Sequence, residues 1–371
     1  MRKLAFLSND PPKSRLLAAL LAAVVAALAL APLLFPGAKA LAVAAKILVF
    51  VLLVASYDLL LGYTGIVSFA HTMFFGIGAY GVAIACTVLG PSWSAIGLGL
   101  MAALTTSALL ALLIGLFSLR VRAIFFAMVT LAVASATQTL ASQLSAWTGG
   151  EDGLNFRVPI ELSAGYRWLE TPLPGLGFSV PADGRLLAYW GLFAVVSASF
   201  LILLRVVNSP FGRVLQAIRE NAFRAEAIGF RTTLYRTQAV VIAALFATLA
   251  GALLALWLRY NGPDTSLSFE LMLDILLMVV IGGMGTMYGA WLGSALFLLA
   301  QNYLQTALAS LGQPLADLVG LLVGSDANRV LVGVLSWSVE LLSPQRWLLW
   351  LGILFVLSVY YLPSGIVGRL R

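Results

Sequence analysis

Three ionisable side chains stand inside long apolar runs: Asp58, His71 and Asp274. An unpaired charge in a bilayer costs on the order of 3 kcal/mol by insertion scales, so such groups face a cavity or a partner. Two chemistries are open to them. They could relay protons along a transport path, or they could hydrogen-bond structurally near span ends; Asp58 stands only four residues before Gly62. The chain offers little else that reacts. Cys86 is the one cysteine and His71 the one histidine, which excludes an internal disulfide, a multi-cysteine metal site and the paired-histidine zinc motifs. No nucleophile–base arrangement and no metal-ligand spacing is visible, so an intramembrane enzyme is disfavoured and no cofactor is implied.

Glycines carry the other candidate motifs. Gly76-Ile-Gly78-Ala-Tyr-Gly81 matches the dinucleotide pattern G-x-G-x-x-G, which requires a preceding strand and an acid about 20 residues later. Here the match lies in an apolar run, and no acid occurs between Asp58 and Glu151. Close helix packing or a helix break is the better reading. There is no G-x-x-x-x-G-K-[ST], so the sequence holds no P-loop with which to hydrolyse ATP. Gly62-Tyr63-Thr64-Gly65 and Gly282-Gly283-Met284-Gly285 each interrupt an apolar run, one in each half of the chain. Paired interruptions of this kind mark discontinuous helices along a transport path, or are ordinary short turns between spans. With Ser68 and His71 they define a candidate translocation path: Gly62, Tyr63, Gly65, Ser68, His71, Gly282, Gly283 and Gly285. Gly289 and Gly293 form a small-x-x-x-small pair suited to packing.

The elements that must position these residues are membrane spans. Hydrophobic residues make up 61% of the 371 and charged ones 10%, well below the usual quarter of a soluble protein. That composition defines an all-α polytopic membrane protein. A basic tail, 1–15, precedes ten apolar runs: 16–35, 41–61, 62–90, 94–119, 123–146, 186–207, 237–258, 271–281, 291–308 and 347–362. Ala38-Lys39-Ala40 resembles a signal-cleavage site, but the first run exceeds the usual 7–15-residue signal core, so a retained span is favoured. Lys46, one turn into the second run, is free to snorkel to the surface. Residues 147–185, rich in Gly, Pro and acids, read as an outer loop with a short hairpin or helix of its own. Residues 309–345 read as a second outer segment with surface helices at Leu315–Val323 and Val330–Leu342. Residues 16–371 thus form one transmembrane domain.

Charge supports the even span count. With the N-terminus inside, inner segments carry fourteen cations against three acids, a net of +11, and outer segments seven against ten, a net of −3. Cations near span ends set orientation. The +7 net charge follows membrane sidedness and is no signal for nucleic acid.

The most basic stretch is 208–236, with Arg213, Arg219, Arg224, Arg231 and Arg236 against Glu220 and Glu226. Asn208 or Ser209 caps a helix that Pro210 can start, and Gly229 stops it. Val214, Leu215, Ile218, Ala222, Ala225 and Ile228 recur at helical spacing, predicting one or two short amphipathic helices. Arg219, Glu220, Arg224 and Glu226 fall within two turns of one such helix. The loop either serves orientation alone or docks a partner.

Tyr57–Tyr80, YDLLLGYTGIVSFAHTMFFGIGAY, resembles the hallmark early segment of the branched-chain amino acid ABC transporter permeases, and is most similar to the second of their two membrane subunits. Thr148-Gly-Gly-Glu-Asp-Gly-Leu154, Ala225-Glu-Ala-Ile-Gly229, Gly282-Gly-Met-Gly-Thr286 and Leu362-Pro-Ser-Gly-Ile-Val-Gly368 agree in order. The family commonly has Asn where Asp58 stands, and 309–345 is longer than the family leads one to expect. The resemblance implies a fold of about ten spans, similar to type II importers, in a bacterial inner (cytoplasmic) membrane with both termini cytoplasmic. It implies a sister permease, two cytoplasmic ATP-binding subunits and an extracytoplasmic solute-binding protein as partners. It implies ATPase coupling through Arg219, Glu220, Arg224, Glu226 and Gly229. Similar sequences also carry urea or amides, and a stand-alone proton-coupled transporter using Asp58, His71 and Asp274 is the alternative class.

Overall fold

The computed structural model describes residues 14–323 and 343–370, apart from 36, 119–122, 164, 169–172, 175–178, 181, 182 and 363, together with 337 and 340. The helices used below are α1 (Arg15–Ala29), α2 (Ala38–Asp58), α3 (His71–Val88), α4 (Trp93–Ser118), α5 (Ala123–Gln143), α6 (Gly184–Val207), α7 (Pro210–Glu220), α8 (Ala222–Ala227), α9 (Thr232–Leu258), α10 (Phe269–Gly282), α11 (Met287–Val323), α12 (Trp347–Tyr361) and α13 (Gly365–Leu370). Among the described residues eight helical segments are long and apolar enough to cross a membrane. The remaining two expected runs fall on the 15-residue α1 and the 37-residue α11.

One helix lies at the centre of the bundle. From Val43 through Asp58 to Leu60 the chain of α2 and the turn after it is buried on every side apart from Lys46. It packs against α6, α9, α10 and α11. α1 lies beside α6, whose Tyr189 hydroxyl donates to the Leu28 carbonyl at 2.5 Å and whose Trp190 indole N–H donates to that of Ala29 at 3.3 Å. α9 packs on α3 and α4. There the dinucleotide-like glycines find their use. A Cβ on Gly78 would sit 1.8 Å from the Thr248 carbonyl oxygen, one on Gly251 1.8 Å from that of Phe75, and one on Gly99 2.5 Å from that of Gly81. These are close backbone crossings that no larger residue permits, and they decide the motif in favour of packing.

Sequence-level expectations shift in three places. Gly62–Thr64 does not open the third span. It ends the second, as part of a π-helical turn, Leu59–Thr64, closed by Gly65 in the left-handed region (φ 71°). Non-helical residues 65–70 then lead to α3. The reason is local: the Thr64 hydroxyl donates to the Leu60 carbonyl at 2.6 Å, and the Ile66 N–H donates to the same carbonyl. Second, no break follows Leu308, because α11 runs through Pro314 to Val323; Val330–Leu342 lies almost wholly outside the described residues. Third, of the one or two helices expected in the basic loop there are two, so Arg219 and Glu220 fall on α7 and Arg224 and Glu226 on α8, because Asn221 is extended (φ −158°, ψ 98°) and caps α8 by accepting the Arg224 N–H at 2.9 Å.

Of the hairpin or helix expected within 147–185 the structure has a hairpin, Leu173–Pro174 paired antiparallel with Ser179–Val180. Its entry, Gly149-Gly150-Glu-Asp-Gly153, turns through three positive-φ glycines. It then pairs Leu154–Asn155 with Tyr260–Asn261, which ties this turn to the end of α9.

Candidate functional site

Two stretches that lie more than two hundred residues apart meet at one point. The Asp58 carboxylate, at the end of α2, accepts the backbone N–H of Gly285 at 2.8 Å. Arg219, at the end of α7, donates through Nη1 to the carbonyl of Gly62. Space forces small residues here. A Cβ on Gly62 would lie 2.1 Å from Asp58 Oδ1 and 2.3 Å from the Gly285 nitrogen; one on Gly65 would lie 3.2 Å from Arg219 Cγ; one on Gly285 would lie 3.0 Å from both Arg219 Nη1 and the Gly62 oxygen. Arg219 therefore threads between the two glycine turns, its stem over Gly65 and its guanidinium between Gly62 and Gly285. A guanidinium suits such a task, since its planar fork holds donors in fixed directions.

The Gly282–Gly285 segment is a tight turn between α10 and α11, packed as an antiparallel hairpin. Gly282 faces the Gly289 carbonyl, with 2.2 Å available for a Cβ, and Gly293 faces that of Met278, with 2.1 Å. Gly289 and Gly293 thus pack this hairpin. Gly283 takes φ 116°, and a Cβ on it would meet the Ser364 carbonyl oxygen at 2.9 Å. Gly365, in the closing Leu-Pro-Ser-Gly stretch, sits so close that its Cβ would fall 2.2 Å from Gly283 Cα. Four separated stretches of sequence, the early GYTG, the basic loop, GGMG and the C-terminal turn, build one node.

The other candidate-path residues are near but distinct. Tyr63 and Ser68 are buried. His71, fully buried, begins α3 and bonds through Nε2 to the Ser56 hydroxyl at 2.8 Å. Ser56 gives its one proton to the Leu53 carbonyl at 2.7 Å, so the His71 Nε2 is the donor. The Tyr57 ring lies against His71, centroids 5.2 Å apart. Asp274 on α10 accepts from the Gln301 amide at 3.4 Å. Among the described residues no direct hydrogen bond joins any two of Asp58, His71 and Asp274; each has its own separate partner.

The predicted coupling residues separate. Arg219 enters the node. Glu220 and Arg224 are exposed, on α7 and α8. Glu226 accepts from the Thr232 hydroxyl at 2.5 Å and so pins the start of α9. Gly229, at φ 97° with nothing within 4 Å of a Cβ, is the helix stop. The Phe230 N–H reaches back to the Ala225 carbonyl and the Gly229 N–H to that of Glu226, a Schellman ending. The sequence reading passed over Phe223, which is 82% exposed, and undervalued Ile228, at 68%. Phe223 lies off the inward-facing stripe, and a large apolar residue among arginines on the outward side was the available signal.

The node makes a direct prediction. Asp58→Asn keeps an acceptor for the Gly285 N–H, so the chain should melt in detergent within a few degrees of wild type. Asp58→Leu leaves that N–H without its acceptor and should cost about 1–3 kcal/mol. Equal melting temperatures for Asn and Leu at this position would contradict the node's geometry.

Fold and site together define a polytopic all-α membrane protein whose interior helices end at a basic extramembrane hairpin. The chain belongs to the family described as branched-chain amino acid transport system / permease component, whose profile matches residues 39–337. It is similar to the high-affinity branched-chain amino acid transport system permease protein LivM of Salmonella typhimurium, 26% identical over 275 residues, and to the same protein of Escherichia coli, 26% over 274. It also resembles a probable branched-chain amino acid transport permease protein of Methanocaldococcus jannaschii, 24% identical over 214 residues, a match covering 56% of this chain and 54% of that one. The first two matches cover 71% of this chain and 63% of each relative, less than two thirds of the relatives' own length. No solved structure matches.

Proposed function

We propose that this chain is one of two permease subunits of an ATP-driven importer for branched-chain or related amino acids, with its basic hairpin docked on a cytoplasmic ATPase. Its partners on this reading are a sister permease, two ATP-binding subunits and an extracytoplasmic solute-binding protein, in a bacterial inner membrane. Both termini and α7–α8 then face the cytoplasm. The chain contributes half of the translocation path and no ATPase site.

The observation that carries the reading is the seat of Arg219. A hairpin meant only to orient the chain has no need to place a guanidinium between two glycine turns that end far-apart spans. One that transmits force does: displacement of α7 moves Arg219, and through Gly62 and Gly285 it moves the ends of α2 and of the α10–α11 hairpin together.

Proteoliposomes holding the chain together with the sister permease, ATPases and binding protein of this reading should hydrolyse ATP faster when leucine-loaded binding protein is added. Proteoliposomes with this chain alone should take up no leucine under a proton gradient. Uptake by the chain alone would replace this proposal with the secondary-transporter reading.

A further inference from the structure

A second polar constellation lies at the opposite end of the helices that form the node. A cavity of about 400 Å³ opens between the start of α2, the end of α9, the start of α10 and Asn302 of α11. That volume falls in the range of small-molecule sites. Five charged side chains line it: Lys39, Asp264 and Glu270, which are exposed, and the less exposed pair Lys46 and Asp274. Both side chains are half-buried, at positions where a charge is costly unless it has a use. Among the described residues no ion pair joins them. Lys46 Nζ instead stands 5.5 Å from the Phe50 ring centroid, and Asp274 takes only the long amide bond from Gln301. Phe50, Leu254, Trp257 and Leu271 supply an apolar wall to the same cavity.

We infer that this cavity is a binding site, within the single permease chain, for a small zwitterion with an apolar side chain: Lys46 receives the carboxylate, Asp274 the ammonium, and the aliphatic body lies against Phe50 and Trp257. Two opposite charges that face one cavity without pairing provide what a free amino acid lacks once it leaves water. Of the charges lining the cavity the half-buried two are one of each sign, so a molecule carrying only one of the two groups leaves one of them desolvated and unmatched. The cavity is not remote from the node. Lys46 and Asp58 lie on one helix about 18 Å apart, and Asp274 and Gly282 on another about 12 Å apart, at 1.5 Å of rise per residue. The pair of helices that would grip the ligand at one end carries the Asp58–Gly285 contact at the other.

The site gives a molecular place to the proposed amino-acid specificity and rests on that reading for its physiological ligand; its test does not need the ATPases. The purified full chain is placed in discs of dioleoylphosphatidylglycerol, a lipid with no ammonium group to compete. Equilibrium binding of labelled leucine is displaced by leucine, 3-methylbutylamine or 4-methylpentanoate. Leucine should compete at least about tenfold better than either singly charged analogue, since a hydrogen bond to a charged group contributes on that scale. Lys46→Met should weaken leucine about tenfold or more while the amine binds at least as well as before, its unmatched lysine charge being gone. Asp274→Asn should do the converse, sparing the carboxylate. Lys46→Arg should retain most of the affinity and controls for folding. No saturable leucine binding to the wild type, or equal weakening of all three ligands in both variants, overturns the site. If leucine binds as described while the ATPases fail to associate, the importer proposal fails and the site stands. If the ATPases associate and leucine does not bind, the site fails alone.

Discussion

Gly62→Ala is expected to disable the protein, although it adds a single methyl group. The new Cβ falls 2.1 Å from Asp58 Oδ1 and 2.3 Å from the Gly285 nitrogen, and neither atom can yield alone. Asp58 is fixed by the N–H it accepts, and Gly285 by a left-handed turn at φ 80° packed under Arg219. Relief must part the two turns, which breaks the Asp58–Gly285 contact and pulls the Gly62 carbonyl from Arg219. Overpacking and loss of a charge-assisted hydrogen bond together cost roughly 3–5 kcal/mol. The purified variant should melt well below wild type. If it is rescued by low temperature or lipid, ATP hydrolysis in the assembled complex should no longer respond to loaded binding protein. Gly191→Ala is the control, since nothing lies within 4 Å of a Cβ at that helical position, and it should melt at or slightly above the wild-type temperature. Wild-type melting and wild-type stimulation for Gly62→Ala would mean that the two turns do not bear on each other.

Phe223→Asp is the second change with a large expected effect, and it acts on the partner instead of the fold. The side chain is 82% exposed at the head of α8, next to Arg224 in the sequence. Removing an aromatic anchor from the centre of an interface costs about 2–4 kcal/mol, or roughly 30- to 700-fold in affinity. Insertion and melting should be unchanged, whereas the ATP-binding subunits should no longer co-purify. Full co-purification with normal stimulated hydrolysis would leave the hairpin an orientation signal only. Glu226→Arg is a poorer probe than the sequence indicated. Glu226 holds the Thr232 hydroxyl at the start of α9, so its reversal would disturb this chain whether or not a partner docks.

Much of the architecture was legible because the bilayer simplifies the problem. With no water to satisfy the backbone, apolar runs must be helical. Their lengths, and the cation excess of alternate connecting segments, then constrain the count and the orientation. The start of the hairpin at Ser209 and Pro210, and its stop at Gly229, were equally local matters of capping and φ. The split at Asn221 was harder to see, since a short polar residue in a helical pattern fits an interior position as readily as a cap.

Tertiary structure alone decided what the special residues touch. The sequence shows two glycine interruptions and a basic loop; it cannot show that Arg219 lies between the first two, because contacts between residues 62, 219 and 285 depend on how α2, α6, α9 and the α10–α11 hairpin pack. It shows Gly76, Gly78 and Gly81 but not that Gly78 meets the Thr248 backbone. Asp58, His71 and Asp274 look alike in sequence, as rare ionisable residues in apolar runs. The fold gives them unlike surroundings: a backbone N–H, a serine hydroxyl, and the wall of a cavity shared with Lys46. Periodicity and charge act along the chain and are read there. The work an intramembrane polar group does is set by the partner it finds across helices, and that partner is fixed only when the helices have packed.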